Sequence, residues 1–247
     1  SEPTAESPSR TSSVTRKPDG RDGRVASGRS LNSGRRWAAQ TLRLGPRATT
    51  PDAMATFAAV LDACVLFPAY PRDLLLRLAE AGLYRPIITS EILDELARNL
   101  VRTGKCSEPA ARRLVAAIAA AFEDDVVETK PAIVAAMGNH PKDRHVLAAA
   151  VEAGAGVIVT ANIKDFPAEA LSPWAIEAKA PDEFLVDLFW LSPARVVGTL
   201  AEQAQDYANP PIGFDDLLGF LGRQLPHFIA LVRAVLLKGA GFADVWR

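Results

Sequence analysis

Short apolar runs alternate with stretches of helical period from Thr56 to about Ala180. Phe57 to Leu61 is a compact apolar run of strand length, and Pro86-Ile87-Ile88-Thr89 is a second. Between them, Leu74, Leu75, Leu78 and Ala81 recur at helical spacing over Arg72 to Gly82, and Gly82 suits a helix end. Ser90 suits the N-cap of the next helix, and Ser107 that of another running to about Phe122. Val126-Val127-Glu128 reads as a brief strand, Pro131 to Met137 as a short helix, and Asp143 to Ala153 as a longer one. Gly154-Ala155-Gly156 stops that helix and leads into the strand Val157 to Thr160, with a last short strand over Ala175 to Ala178. Strands alternating with helices predict an α/β fold, a parallel sheet flanked by helices.

The pattern changes near Pro181. Asp182 to Trp190, Pro193 to Tyr207, Phe214 to Arg223 and Pro226 to Lys238 all read as helices separated by Pro and Gly. A small all-helical C-terminal module is therefore expected over 181–247, behind an α/β domain over 54–180. Its apolar stripes, among them Leu185, Leu188, Phe189, Leu217, Phe220 and Leu221, suit a core. Residues 1–53 are rich in Ser, Arg, Gly, Thr and Pro, too poor in large apolar side chains to offset the entropy of ordering. They are expected to be a disordered basic segment, and Met54 would make a natural start just before the first strand.

Charge sharpens this division. Residues 1–53 hold ten Lys/Arg against five Asp/Glu, whereas the remainder holds 18 against 24. An acidic main body does not exclude nucleic acid, because binding depends on a local basic face. Two cysteines make no disulfide framework, and with no signal-peptide pattern and no apolar run of membrane length the sequence predicts a reduced, cytoplasmic protein.

The candidate chemistry lies in four carboxylates at strand ends and helix starts. Asp62 closes Ala58-Ala59-Val60-Leu61, Glu95 lies in Ser90-Glu91-Ile92-Leu93-Asp94-Glu95-Leu96, Asp143 precedes an Ala-rich helix, and Asp165 follows the strand ending at Thr160. In an α/β sheet these places face one crevice. Four acids there repel unless a hard cation such as Mg²⁺ or Mn²⁺ offsets them, which points to work on a phosphodiester. Each has a plainer role too: Asp62 as a turn or cap, Glu91 and Asp143 as first-turn acids, Asp165 as a solvated loop acid. Glu95 has less structural reason to be acidic than Glu91. Asn162 offers a carbonyl oxygen, and Lys142, Arg144 and Lys164 suit a phosphate backbone as well as they suit solvent. His140 and His145 bracket Asp143, yet a zinc site lacks further nearby ligands. No Gly-x-Ser-x-Gly elbow, P-loop or Gly-x-Gly-x-x-Gly occurs.

Four segments in order, Val60 to Leu66, Thr89 to Leu96, Asp143 to Ala150 and Val159 to Phe166, resemble the PIN-domain ribonucleases, in particular the VapC-type toxins of toxin–antitoxin pairs. The resemblance covers about residues 55–180, and the helical tail is similar to the extension of a longer VapC-like subgroup. It implies a PIN-like fold and a metal-dependent endoribonuclease with Mg²⁺ or Mn²⁺ held by Asp62, Glu95, Asp143 and Asp165. It also implies an RNA substrate touched by Thr160, Asn162, Arg144 and Lys164, a cognate antitoxin protein, and a possible homodimer. Cys64 stands where the family often has Asn, and Asn162 where part of it has the last acid, leaving that role to Asp165. The alternative is a catalytically inactive PIN-like scaffold that binds RNA or protein.

Overall fold

A computed structural model describes residues 57–237. The expected basic segment over 1–53 lies outside the described residues, as do Met54 and Lys238. Five parallel strands, β1 (Ala58–Leu61), β2 (Arg85–Thr89), β3 (Val126–Val127), β4 (Val157–Val159) and β5 (Glu177–Lys179), form one sheet in the order β3-β2-β1-β4-β5. Val60 aligns with Ile87 on one side and Ile158 on the other. The chain thus winds outward from β1 in one direction, then returns to its other flank with β4. That reversal places a topological switch point at the carboxyl ends of β1 and β4, where such sheets hold their ligands.

The connections are helical. α1 (Ala63–Leu66) and α2 (Ala69–Glu80) join β1 to β2, and α3 (Ser90–Arg102) and α4 (Glu108–Ala121) join β2 to β3. α5 (Pro131–Ala136) and α6 (Arg144–Ala153) lead to β4, and α7 (Ala168–Leu171) to β5. Ala148, Ala149 and Ala150 are fully buried where α6 crosses β1, β2 and β4, so small side chains let that helix sit close to the sheet. Gly154 ends α6 in the left-handed region at φ 63°, as the sequence predicted for this stop.

Several expected boundaries move. The predicted helix from Arg72 begins at Ala69, because Pro68 fixes an extended residue ahead of it. α1 was not foreseen: four residues are too short for a period, and the turn exists because Asp62 caps it. The last strand starts two residues later than Ala175 and ends one later than Ala178, since Ala175 itself takes a left-handed conformation at φ 54° after the turn Ser172–Trp174. Residues Pro141–Asp143 form a separate 3₁₀ turn rather than the start of the following helix.

Beyond Pro181 the described residues hold four helices, α8 (Pro181–Leu191), α9 (Pro193–Asp206), α10 (Phe214–Leu221) and α11 (Pro226–Leu237). α8 and α9 meet at 118°, and no single described helix is long and apolar enough to cross a membrane. Asp182 of α8 accepts the backbone N–H groups of His227 at 3.1 Å and Phe228 at 2.8 Å, so one helix of this module caps another. The module also grips α2. Tyr207 donates to Asp73 at 2.9 Å, Arg77 bridges Asp73 and Asp206, and the Gln203 amide donates to the Tyr70 carbonyl. Phe184 packs edge-on against Tyr84 at 5.0 Å, with Phe57 beyond.

Candidate metal centre

The site is built from the ends of β1 and β4 and from the turns beside them. Asp62, the first residue past β1, has an extended backbone at φ −65°, and its Oδ1 accepts the Cys64 N–H at 3.4 Å. Its Oδ2 accepts the Thr160 hydroxyl at 2.6 Å and the Cys64 thiol at 3.0 Å. Asp62 is only 3% exposed, so these two neutral donors fix its carboxylate in a buried place. Cys64 also accepts the Ala161 N–H at 3.2 Å. Burial, and then the negative charge of Asp62, push the Cys64 thiol up to about 12, so it stays protonated and able to donate at neutral pH. The residue that departs from the resembled family's Asn therefore still serves the acid two positions back.

Nearby lies a cavity of about 690 Å³, which Asp62 itself does not line. Glu91, Asp94 and Glu95 line it from α3, with Asp143 and Asp165 from two 3₁₀ turns. Arg98, Lys142 and Lys164 bring positive charge to the same walls, and His140, His145 and Asn162 complete them. The two turns are tied together, for the His140 N–H donates to the Asp165 carbonyl at 3.2 Å. As a result His140, Asp143 and Asp165 each offer a ligand atom within 4.8 Å of the others.

Asp143 precedes α6, but its carboxylate makes no capping hydrogen bond. Its carboxyl is held above the ordinary carboxylate range, first by burial and then by the charges of Asp62 and Asp165, with Glu95 adding to them and His140 opposing. The other three expected acids thus all act on Asp143. Glu95 is steadied by the Asn99 amide at 3.4 Å, one turn on. Glu91, which the sequence assigns to the helix start, sits in the first turn and faces the cavity as well.

Two expected RNA contacts lie elsewhere. Thr160 is fully buried with its hydroxyl committed to Asp62, so it supports the acid instead of touching substrate. Arg144 does not line the cavity; its Nε donates to the Asn139 carbonyl at 3.4 Å. Arg98, which the sequence reading did not name, and His140, which it weighed only for zinc, both line the cavity. Arg98 had a readable signal, since it follows Glu95 by three residues and Glu91 by seven on one helical face.

The donor set suits a hard divalent cation. Clustered carboxylate oxygens raise one another's proton affinity until a cation offsets them, and His145 Nε2 is buried here without a hydrogen-bond partner among the described residues. A folded-state value raised above the unfolded one means that the folded protein holds the proton longer. Stability in the metal-free protein is then lost as pH rises through the raised Asp143 value. Asp143→Asn removes that charge, so in EDTA at neutral pH the variant is expected to melt above the wild type. It should also lose the Tm rise that Mg²⁺ or Mn²⁺ gives the wild type. A lower Tm in EDTA would contradict the repulsion.

Comparison with known proteins agrees with this architecture. Residues 58–164 match the family model described as PIN domain, and residues 181–234 match the one described as VapC50 C-terminal domain. The chain is 44% identical over 110 residues to "Putative ribonuclease VapC50" of Mycobacterium tuberculosis (strain ATCC 25618 / H37Rv), a stretch covering 44% of this chain and 65% of that relative. No solved structure matches. The sheet domain is thus similar to the PIN-domain family, and the helical tail to the C-terminal domain of a VapC-type relative of whose length the chain spans just under two thirds.

Proposed function

We propose that this protein is a Mg²⁺- or Mn²⁺-dependent endoribonuclease, the toxin of a type II toxin–antitoxin pair acting in the cytoplasm. The observation that carries it is the convergence on Asp143 of charge from Asp62, Glu95 and Asp165, three acids from three other segments, in a cavity that also presents Arg98, Lys142 and Lys164. A nuclease unit over 54–180 and a helical extension over 181–247 form part of this reading.

Asp62, Asp143 and Asp165 would hold one or two ions, with Glu95 holding a second or orienting the attacking water. When bound, the ion polarises the phosphate, lowers the pKa of the attacking water and stabilises charge in the transition state. The chain's own groups do the rest. Thr160 and Cys64 occupy Asp62 Oδ2, which leaves Oδ1 the freer oxygen and sets the orientation of the carboxylate. Lys142, Lys164 and Arg98 offset the charge of the incoming RNA backbone, and the Asn162 side chain lies within reach of the bound strand. Glu95, whose carboxylate accepts the Asn99 amide, would orient the attacking water. Unopposed cleavage of cellular RNA is harmful, so a cognate antitoxin covering this cavity is the expected partner, with a homodimer as the toxin's own assembly.

The test is cleavage of total cellular RNA and of matched DNA by the purified protein, with Mg²⁺, Mn²⁺ or EDTA. Discrete RNA fragments that require metal are expected. Absence of cleavage by folded, antitoxin-free protein, together with no metal-dependent rise in Tm, would favour the inactive scaffold.

A further inference from the structure

Helix α3 begins in negative charge and ends in positive charge along a single face. Glu91, Glu95, Arg98 and Arg102 are spaced by four, three and four residues, so they form one stripe. Glu91, Glu95 and Arg98 line the cavity, while Arg102 lies one turn further on and Lys105 just past the helix end. Arg102 is about 10 Å from Glu95 along the axis, at 1.5 Å per residue. Arg98, Arg102 and Lys105 are all exposed.

Arg98 and Arg102 share one helical face that starts in the cavity and leads out of it, whereas several cations elsewhere are held by acids. Arg77, Arg85, Arg112, Lys130 and Lys179 each sit in an ion pair. Among the described residues Arg98, Arg102 and Lys105 form none, and Arg102 touches only the Asn99 side chain, at 3.1 Å. The helix dipole favours one base in the last turn, which accounts for Arg102 taken alone. It does not account for Arg98 in mid-helix. A row of unpaired cations that starts inside the cavity and leads out of it is the footprint of a polyanion.

We propose that the Arg98–Arg102–Lys105 edge of α3 is the track along which single-stranded RNA leaves the cavity, its phosphates lying on this row next to the scissile one. The proposal rests on the ribonuclease reading and adds a direction to it. A single strand is the form that one row of charges on one helix can follow. Such phosphate contacts would set register without reading sequence.

Fluorescence anisotropy with a fluorescein-labelled oligouridine in EDTA measures binding apart from cleavage. The double variant Arg102→Gln, Lys105→Gln is expected to reduce the steepness of log affinity against log salt by about 1.4, at about 0.7 per single-strand phosphate contact. In the metal-loaded enzyme it should raise KM for RNA and leave kcat unchanged. Arg233→Gln, which removes one charge from α11, should leave the slope alone. An unchanged slope in the double variant overturns the track, and loss of poly-glutamate binding instead would assign the edge to an acidic protein segment. If the wild type binds RNA but does not cut it with metal, the ribonuclease reading fails and the track stands. If it neither binds RNA nor cuts it with metal, both fail; if it cuts with metal but binds none in EDTA, the track alone fails.

Discussion

Asp62→Asn is expected to lower RNA cleavage by at least about 10³-fold with little change in the fold. The substitution is close to isosteric, and an asparagine carbonyl can still accept the Thr160 hydroxyl that Asp62 accepts at 2.6 Å. It can also cap α1 through the Cys64 N–H. What disappears is the negative charge nearest the switch point of the sheet. A bound ion supplies several kcal/mol of transition-state stabilisation, and each tenfold in rate corresponds to about 1.4 kcal/mol. Rate at saturating RNA with Mg²⁺, and Mn²⁺ affinity by calorimetry, should fall together while the circular dichroism spectrum holds. Near-wild-type cleavage by a well-folded Asp62→Asn protein would remove Asp62 from the reaction.

Phe184→Ala is expected to destabilise the whole protein by about 3–5 kcal/mol, the usual cost of deleting a fully buried phenyl ring. Phe184 is 1% exposed, and it belongs to the helical extension while its ring partners, Tyr84 and Phe57, belong to the sheet domain. Tyr84 is fixed in turn by its hydroxyl on the Leu75 carbonyl at 2.9 Å. Chemical denaturation followed by fluorescence should show one transition at a lower midpoint. Two separated transitions, with only the second shifted, would mean that the extension folds independently of the sheet.

The sequence was most readable where periodicity and burial act together. β1, β2 and β4 are short apolar runs because both faces of a parallel sheet are covered; the start of α3 was legible to within one residue, since Thr89 and not Ser90 is its N-cap and accepts the Ile92 N–H at 3.1 Å. The short pieces escaped for physical reasons. α1 and the turns at Pro141–Asp143 and Ile163–Asp165 are too brief to show a period, yet these are the pieces that aim the acids. The change to an all-helical module near Pro181 was legible because proline both starts α8 and bars a continuing strand. In the site, acids could be nominated from strand ends and helix starts, whereas side-chain direction could not. Thr160 and Arg144 were expected to face RNA, but one hydroxyl turns inward to an acid and one guanidinium turns back to a carbonyl. His140 is joined to Asp165 by a backbone hydrogen bond, a contact between segments that no local pattern encodes, as well as to Asp143 three residues on.

The cap that Asp182 places on α11 joins the beginning of the C-terminal module to its end. The module is a closed clasp rather than a string of helices. Changes in length within the stretch from Tyr207 to Gly213, between clasp halves, leave the closure untouched. Loss of the last helix would instead strand a nearly buried carboxylate with its backbone donors gone, and open the first helix, the one whose Phe184 is seated on the sheet domain. The last described helix therefore bears on the sheet domain through a latch 45 residues upstream.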